Sequence, residues 1–304
     1  MRQKMKAYRV YQVNSFTKNR FYGNPAGVVL NADGLSEIQM QQIARELNNS
    51  ETAFILSPTA SHYDIEVRFF TPTKEVPICG HATIAAHYIR ALEQGKIGKV
   101  LQKTKAGILP VDITQENNDF NITMTQGKPQ VEKPLDESIT SKIIEALGIQ
   151  PQDIREDCPI TIASTGHSKI MIGIKENKLL NAMKPNLENL SVLSAKIHCN
   201  GFYLFTLHFD TNPLVRGRMF APAIGIAEDP VTGNANGALG AYLVHYGIVK
   251  HLETQNNLSF AILQGEAIKR TGGMRVNVEI QNGKPILVQI TGQVIVCFKT
   301  EIYI

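Results

Sequence analysis

Three short polar motifs carry the side chains of this chain that could bind a ligand or move a proton. The first is Ser50-Glu51-Thr52, which directly precedes the apolar run at 53–56. A carboxylate held against apolar residues is suited to general acid–base catalysis, because partial desolvation makes it a better base. Taken alone, the motif is explained more simply by a helix cap or a surface charge, so Glu51 needs support from elsewhere in the chain.

The other two motifs place polar residues beside glycines that begin apolar stretches. Cys79 and His81 flank Gly80, and Asp229 lies four residues before Gly233. The first turn of a helix presents unpaired N–H groups with a partial positive charge, and a glycine there lets a ligand approach the backbone. The pair of glycines therefore predicts an anion site, which suits a small carboxylate better than a nucleotide. Alternatively, each glycine only eases a strand-to-helix turn.

Further polar residues could extend this site. Asn234 follows Gly233, and Asn24 and His167 lie on two related turns. Asparagine and glycine are also what a turn requires, so a purely structural role is equally consistent with these positions. Cys79 could add a functional thiol, although a small buried residue at a crowded helix start is the simpler interpretation.

Composition and charge argue against several classes of function. The 31 Lys and Arg residues are scattered and the formal net charge is +4, so nucleic acid is not an expected partner. No apolar run approaches the roughly 18 residues of a membrane span, and no export signal is recognisable, which predicts a cytoplasmic protein. No Walker or G-x-G-x-x-G motif indicates a nucleotide cofactor. The four cysteines form no C-x-x-C pair, so neither disulfides nor a zinc site is expected.

An internal repeat indicates two similar halves. The segment Arg68-Phe-Phe-Thr-Pro72 recurs 150 positions later as Arg218-Met-Phe-Ala-Pro222. Each copy precedes one of the two glycine-led apolar stretches. We therefore predict an N-terminal half at residues 1–117, completed by the last strand at about 296–304, and a C-terminal half at 118–295.

The local patterns predict an α/β (α+β) fold in which each half is a curved, mostly antiparallel sheet around one central helix. Residues 36–48 have the capping box and apolar stripe of an amphipathic helix. Residues 81–93 and 234–247 are apolar on all sides, which is typical of buried helices. The turn at 117–119 is the predicted crossing between the halves. Strands are predicted at 7–14, 27–31, 64–70, 119–125, 160–164, 169–174, 201–209, 275–281 and 286–298.

Nearly the whole chain resembles the phenazine-biosynthesis PhzF family, most closely its YddE-like members. The resemblance implies a diaminopimelate-epimerase-like fold, with two pseudo-symmetric halves, a cleft between them, and neither a metal nor an organic cofactor. The motifs that carry it are Phe16 with Gly23-Asn-Pro-Ala-Gly27, Ser50-Glu-Thr-Ala-Phe54, Arg68-Phe-Phe-Thr-Pro72, Pro77-Ile-Cys-Gly-His-Ala-Thr83, Gly217-Arg-Met-Phe-Ala-Pro-Ala-Ile-Gly225 and Glu228-Asp-Pro-Val-Thr-Gly-Asn234.

The resemblance also implies roles for individual residues. In the characterised isomerase of the family, a glutamate in the Ser-Glu-Thr motif moves a proton between carbons of a dihydro-hydroxyanthranilate, and here that glutamate is Glu51. The Gly-His and Asp-Pro-Val-Thr-Gly motifs hold the substrate, which assigns substrate binding to Gly80, His81, Asp229 and Gly233. A second copy of the chain is a candidate partner, as in a homodimer.

Two positions depart from related proteins. Amino-acid epimerases of this fold carry a cysteine before each glycine, whereas this chain has Cys79 and Thr232. A threonine hydroxyl is too weak an acid or base to replace a thiolate, so racemisation by paired thiols is not expected. Asn234 stands where the phenazine isomerase commonly has serine, which leaves the substrate open. The leading hypothesis is an isomerase acting on a small carboxylate. The alternatives are a racemase or epimerase that uses Cys79 with Glu51, and a ligand-binding member without turnover.

Overall fold

The computed structural model describes residues 5–304, which divide into two compact units. The first unit comprises the chain up to Thr125 together with Thr291–Ile304, and the second comprises Gln126–Ile290. Within the described residues, no helix has both the length and the apolar character that a membrane span requires.

The elements follow one another along the chain in a mixed α/β order dominated by strands. Those of the first unit, before the chain leaves it, are β1 (Ala7–Ser15), β2 (Asn24–Val29), α1 (Glu37–Leu47), β3 (Thr52–Leu56), β4 (Ile65–Phe70), β5 (Glu75–Val76), α2 (Gly80–Gln94), β6 (Gly98–Thr104), β7 (Gly107–Glu116) and β8 (Asp119–Thr125). Those that follow are β9 (Gln130–Pro134), α3 (Glu137–Leu147), β10 (Thr161–Ser164), β11 (Lys169–Gly173), α4 (Asn177–Ala182), α5 (Leu187–Ile197), β12 (Phe202–Leu207), β13 (Val215–Ala221), β14 (Ile226–Asp229), α6 (Gly233–His245), β15 (Asn257–Gln264), β16 (Gly272–Gln281), β17 (Lys284–Gly292) and β18 (Val294–Tyr303).

The two units share one order of strand pairings. In the first unit β1 is antiparallel to β2, β2 is parallel to β3, and β3 is antiparallel to β4. In the second unit β10, β11, β12 and β13 repeat these pairings in the same order and sense. A parallel pair needs a crossover connection, and helix α1 supplies it in the first unit while α4 and α5 supply it in the second. The predicted repeat of two similar halves is therefore confirmed.

The central helices occupy equivalent crossovers. Helix α2 lies between the parallel strands β4 and β6, and helix α6 lies between the parallel strands β13 and β15. Every residue of α2 from His81 to Ile89 is buried, and so is every residue of α6 from Ala235 to Val244. The prediction of two helices apolar on all sides and buried in the core is confirmed, because such helices are stable only where apolar neighbours surround them.

An arginine–glutamate pair marks the repeat in each unit. Arg68 on β4 binds Glu75 on β5 through two hydrogen bonds of 2.8 and 2.6 Å. Arg218 on β13 binds Glu228 on β14 in the same way, at 2.9 and 2.7 Å. A guanidinium and a carboxylate match each other in this two-bond geometry, which fixes both distance and direction. The repeated arginines of the sequence thus pin the short strand that leads into each central helix.

The turn at Asn117 and Asn118 is a hairpin turn inside the first unit. It joins β7 to β8, which pair up to Glu116 and Asp119. Both asparagines are left-handed, with φ of 50° and 61°, as a two-residue hairpin turn with a right-handed twist requires. The predicted crossing at this turn is not where the units divide, since the chain passes to the second unit only after Thr125.

The second unit also contains helices that the sequence patterns did not predict. Helices α3 and α5 bury Ile143, Leu147 and Leu190 in a cluster with strand residues such as Ile172 and Leu204. The buried residues of α3 (Ile143, Ala146 and Leu147) and of α5 (Leu190, Leu193 and Ser194) have helical spacing, so the sequence carries a signal for both helices that went unused.

Candidate active site

The start of helix α2 is held by hydrogen bonds from its own first turn and from β1. The carbonyl of Cys79 accepts the N–H of Thr83 at 2.9 Å and the hydroxyl of Thr83 at 2.7 Å. The hydroxyl of Ser15, at the end of β1, donates to the carbonyl of His81 at 2.8 Å. Gly80 itself borders open space, because no heavy atom lies within 4 Å of the position that a Cβ would occupy. The backbone at the start of α2 is thus held in place, and a ligand can approach its first residue, Gly80.

Glu51 lies beside His81. Its Oε2 atom is 3.5 Å from Nε2 of the imidazole, and the Glu51 and His81 side chains are only 18% and 9% exposed. The hydroxyl of Ser50 lies 3.2 Å from the same ring nitrogen. The other ring nitrogen, Nδ1, is 3.3 Å from Sγ of Cys79. The imidazole therefore connects the carboxylate of one motif with the thiol of another.

One tautomer of His81 satisfies both neighbours. If Nε2 carries the proton, it can donate to the carboxylate of Glu51 and to the hydroxyl oxygen of Ser50, and the thiol of Cys79 can donate to Nδ1. A neutral histidine bonded on both ring nitrogens is fixed in orientation. In this arrangement the imidazole holds the carboxylate of Glu51 in place, as a positioned acid–base group requires.

The backbone around Glu51 is positioned by the pairing of β2 with β3. The carbonyl of Glu51, which precedes β3, accepts the N–H of Gly27 at 3.2 Å. A Cβ at Gly27 would lie 2.7 Å from Oγ1 of Thr52 and 2.8 Å from Cδ1 of Leu47. The close approach of these strands therefore requires glycine at position 27, which explains the last residue of the Gly-Asn-Pro-Ala-Gly motif.

The start of helix α6 is built around Asp229 and Thr232. The hydroxyl of Thr232, the residue before the helix, donates to Oδ2 of Asp229 at 2.5 Å. Gln264 on β15 accepts the N–H of Thr232 at 3.1 Å and donates to the carbonyl of Asp229 at 2.8 Å. Thr232 thus orients the carboxylate of Asp229. A hydroxyl can do this although it is too weak an acid to take part in proton transfer.

A buried polar network behind this helix start was not predicted. The side-chain oxygen of Gln264 also accepts a hydrogen bond from Asn236 at 2.9 Å, and Asn236 in turn accepts the hydroxyl of Tyr203 at 2.5 Å. Gln264, Asn236 and Tyr203 are all fully buried. Burial raises the pKa of Tyr203 strongly, so that its hydroxyl remains a donor. The sequence feature that could have revealed this network is Gln264, a polar residue at a position of β15 where the alternating pattern places buried side chains.

Two asparagines predicted to bind substrate have different surroundings. Asn24 is the first residue of β2, directly opposite Ser15, and only 1% of it is exposed, so it belongs to the strand pair that supports His81. Asn234 follows Gly233 at the start of α6. Its side-chain oxygen is buried and has no hydrogen-bond partner among the described residues. A buried amide oxygen without a donor is costly, and a ligand N–H or O–H can satisfy it.

Lys169 is a further charged residue of the second unit that the sequence patterns did not single out. It begins β11 and is 7% exposed, and its Nζ atom donates to the carbonyl of Ser168 at 3.1 Å. Burial lowers the pKa of Lys169, against the attraction of Cys199 and Asp229. The second unit therefore combines a buried amine with the carboxylate of Asp229. His167, two residues before Lys169, is exposed on the preceding turn.

The predicted site residues thus form one group in each unit. In the first unit the structure brings together Glu51, Cys79, Gly80 and His81, with Asn24 on the supporting strands. In the second unit it brings together Asp229, Gly233 and Asn234 around the start of α6. These are the two helix starts that the glycine-led motifs indicated.

The repeated strand pairings and the two glycine-led helix starts define a protein built from duplicated α/β units. Residues 13–300 match the family model described as phenazine biosynthesis-like protein. The chain therefore belongs to this family, the PhzC-PhzF family, and it is an isomerase of that family.

Individual relatives cover the chain almost completely. An uncharacterised isomerase of Clostridium acetobutylicum is 54% identical over 300 residues, which are 98% of this chain and 99% of the relative. The uncharacterised isomerase YddE of Escherichia coli is 48% identical over 295 residues, or 96% and 97% of the two chains. The crystal structure of a Bacillus anthracis protein of the phenazine biosynthesis PhzF family superposes with a TM-score of 0.87 at 31% identity, over 99% of this chain and all of the other. The predicted family and fold class are confirmed.

Proposed function

We propose that this isomerase moves a proton on a small carboxylate substrate without a cofactor, with Glu51 as the general acid and base. The observation that carries the proposal is the placement of Glu51 against His81 at the start of a buried helix. The carboxylate of Glu51, the imidazole of His81 that supports it and the approachable backbone of Gly80 lie close together. A positioned acid–base group next to an anion-binding backbone is what proton transfer beside a carboxylate requires.

In the proposed reaction, the ionised carboxylate of Glu51 removes a proton from a carbon close to the substrate's carboxylate. The C–H bond breaks, an O–H bond forms on Glu51, and the electron pair passes into the conjugated substrate. The negative charge that develops is stabilised by the N–H groups at the start of α2, near Gly80. Glu51 then returns the proton to another carbon, so that the double bond moves and no atom is gained or lost.

His81 acts in this scheme through Glu51. Its Nε2–H points toward the carboxylate and holds it in one orientation. The thiol of Cys79 lies at Nδ1 and so fixes the proton of the neutral ring on Nε2. The substrate-binding residues of the second unit follow from the family resemblance. Asp229, held by Thr232, accepts hydrogen bonds from polar groups of the substrate, and the buried oxygen of Asn234 gains a donor.

The test is solvent deuterium exchange with a panel of small cyclic and amino carboxylates. Binding members of the panel are first found by thermal stabilisation, since a ligand at 100 times its Kd adds about 2.7 kcal/mol. In D2O, the isomerase should introduce deuterium at a new carbon with movement of a double bond. Glu51→Gln keeps the shape of the side chain but cannot accept the proton, so we expect it to bind normally and to lose about 10²–10⁴-fold in turnover.

A second candidate function is racemisation or epimerisation with Cys79 and Glu51 as the two bases. It is favoured by one observation, the position of Sγ of Cys79 in the same cluster as the Glu51 carboxylate. Deuterium would then enter with inversion at one carbon, and Cys79→Ser would abolish the reaction. Loss of exchange in Cys79→Ser but not in Glu51→Gln contradicts our assignment, and binding without any exchange indicates a ligand-binding protein.

A further inference from the structure

Glu51, Cys79 and His81 form the one group of three metal-binding side chains found within residues 5–304. One donor atom from each lies within 4.8 Å of the other two. Nε2 of His81 is 3.5 Å from Oε2 of Glu51 and 4.0 Å from Sγ of Cys79. In a tetrahedral zinc site, with bonds of about 2.0–2.3 Å, such ligand atoms are about 3.3–3.6 Å apart. Small side-chain rotations would therefore place all three around one ion.

The chemistry of these donors favours zinc over harder cations. Zn²⁺ prefers thiolate and imidazole ligands, whereas Mg²⁺ and Ca²⁺ prefer sites made of oxygen. The thiolate of Cys79 and the carboxylate of Glu51 together carry the two negative charges that balance the ion. This balance matters because both Glu51 and His81 are largely buried and a buried net charge is costly. A neutral complex is also compatible with the positive start of α2.

The position between two of these residues leaves space for a fourth ligand. Gly80 separates Cys79 from His81 along the chain, and no heavy atom lies within 4 Å of where its Cβ would be. Zinc bound by three protein side chains takes water or another small ligand in its fourth position. A glycine between two of the ligands carries no side chain that would block such a small ligand, and the Glu51 side chain keeps 18% of its surface exposed to solvent.

We propose that Glu51, Cys79 and His81 bind one Zn²⁺ and that the bound metal inhibits the enzyme. On binding, the thiol of Cys79 releases its proton to solvent, the ring proton of His81 moves from Nε2 to Nδ1, and the thiolate, Nε2 and the Glu51 carboxylate donate electron pairs to the ion. The inhibition, unlike the binding, rests on the proposed function, because a carboxylate that coordinates zinc cannot accept a proton from carbon. Zinc is in this view an inhibitor and not a cofactor.

The binding half is tested without any substrate. The full-length chain, stripped of metal with a chelator, is titrated with ZnCl2 in a calorimeter, and one Zn²⁺ per chain is expected. Cys79→Ser and His81→Gln should each weaken zinc affinity by more than about 100-fold. Cys297→Ser, which removes the partly exposed cysteine on β18, is the matched control and should leave the affinity unchanged.

Two further measurements, one with Co²⁺ and one with Mg²⁺, test which residue binds the metal and which metal is preferred. Co²⁺ in place of zinc should give a thiolate-to-metal charge-transfer absorption in the wild type and in Cys297→Ser, but none in Cys79→Ser. MgCl2 should produce no binding heat. Equal zinc affinity in Cys79→Ser and the wild type, or loss of zinc only in Cys297→Ser, places the metal elsewhere and overturns the proposal.

The inhibition half is tested by deuterium exchange with one equivalent of zinc, before and after addition of EDTA. Exchange should stop with zinc and return with the chelator. If zinc binds through Cys79 and His81 but exchange continues, the inhibition is refuted, whereas the role of Glu51 in exchange is decided separately by Glu51→Gln. If Glu51→Gln abolishes exchange but the wild type binds no zinc, the proposed function stands and the metal site is refuted.

Discussion

Nε2 of His81 lies 3.5 Å from Oε2 of Glu51, although 30 positions of the chain separate the two residues. Glu51 directly precedes β3 and is positioned by the pairing of β3 with β2, whereas His81 is positioned by the first turn of α2. The relationship explains why two separate sequence motifs belong to one chemical unit. In the proposed function the two residues have different tasks, since Glu51 would exchange the proton and His81 would hold Glu51 in place.

Replacement of His81 should separate positioning from proton transfer. Because the imidazole only orients the carboxylate, His81→Ala should lower kcat by about 10–100-fold, less than Glu51→Gln, as a misplaced catalytic group does. His81→Gln, which keeps an amide N–H, should recover part of the loss. Steady-state kinetics on the substrate found in the carboxylate panel give the comparison. Unchanged kcat in His81→Ala would show that Glu51 needs no support from the ring.

Replacement of Gly80 by valine should weaken ligand binding without changing the stability of the fold. A Cβ at position 80 meets nothing within 4 Å, so we expect the free energy of unfolding to change by less than about 0.5 kcal/mol. The added side chain would occupy the space that gives a carboxylate access to the helix start, and the Kd should rise at least about tenfold. Urea unfolding and a thermal-shift titration measure the two effects.

Gly27→Ala is the matched control for Gly80→Val and should show the opposite pattern. Its Cβ would lie 2.7 Å from Oγ1 of Thr52, so a loss of about 1–3 kcal/mol in stability is expected from overpacking. If Gly80→Val destabilises the protein as much as Gly27→Ala while the Kd stays constant, the glycine at position 80 is structural and the anion site is wrong.

Removal of the buried amide of Gln264 should destabilise the second unit. Gln264→Leu keeps about the same volume but removes the acceptor of the Thr232 N–H and one of the two acceptors of the Asn236 amide, whose other acceptor is the Thr232 carbonyl. Each unsatisfied buried group costs about 1–3 kcal/mol, so the free energy of unfolding should fall by at least about 2 kcal/mol. Gln281→Leu, at an exposed position of β16, should change it by less than about 0.5 kcal/mol. Similar urea midpoints for the two variants would refute the role of the network.

His87 should make stability depend on pH. It is completely buried in α2 and bonded to Gln102 at 2.9 Å through Nε2, and its Nδ1 has no partner among the described residues. Burial lowers the pKa of His87 from 6.5 to about 4. The unfolded chain therefore binds the proton first as the pH falls, and the stability that neutral His87 contributes above pH 6.5 is lost progressively down to about pH 4, about 3 kcal/mol in full.

The comparison for His87 uses two variants. In His87→Gln, which can still donate to Gln102, the part of the pH dependence due to His87 should vanish in urea unfolding between pH 7 and pH 4. His62→Gln, at an exposed imidazole, should keep the slope of the wild type. A His87→Gln variant with an unchanged slope would mean that His87 is not the titrating group.

Much of the fold was predictable because it is encoded locally. The all-round apolar pattern predicted the buried helices α2 and α6, and the capping box Ser36–Gln39 predicted α1, which the structure shows with both hydrogen bonds formed. Helices α3 and α5 were not predicted, although their buried residues have the spacing of an amphipathic helix and pack on the strands of the second unit. The hairpin at Asn117 was misread as a crossing, since a turn motif does not reveal which strands it joins.

The amino-acid sequence by itself determined the family, the duplication and the glycine-led motifs, since these are patterns of residue type along one dimension. Only the tertiary structure placed Glu51 beside Cys79 and His81 and connected Gln264 to Asn236. The expectation of no zinc site rested on the spacing of cysteines alone, and it stays a prediction that the zinc titration tests. Contacts between distant segments depend on how strands pair and helices cross, and these follow from burial of the whole core and not from any single motif.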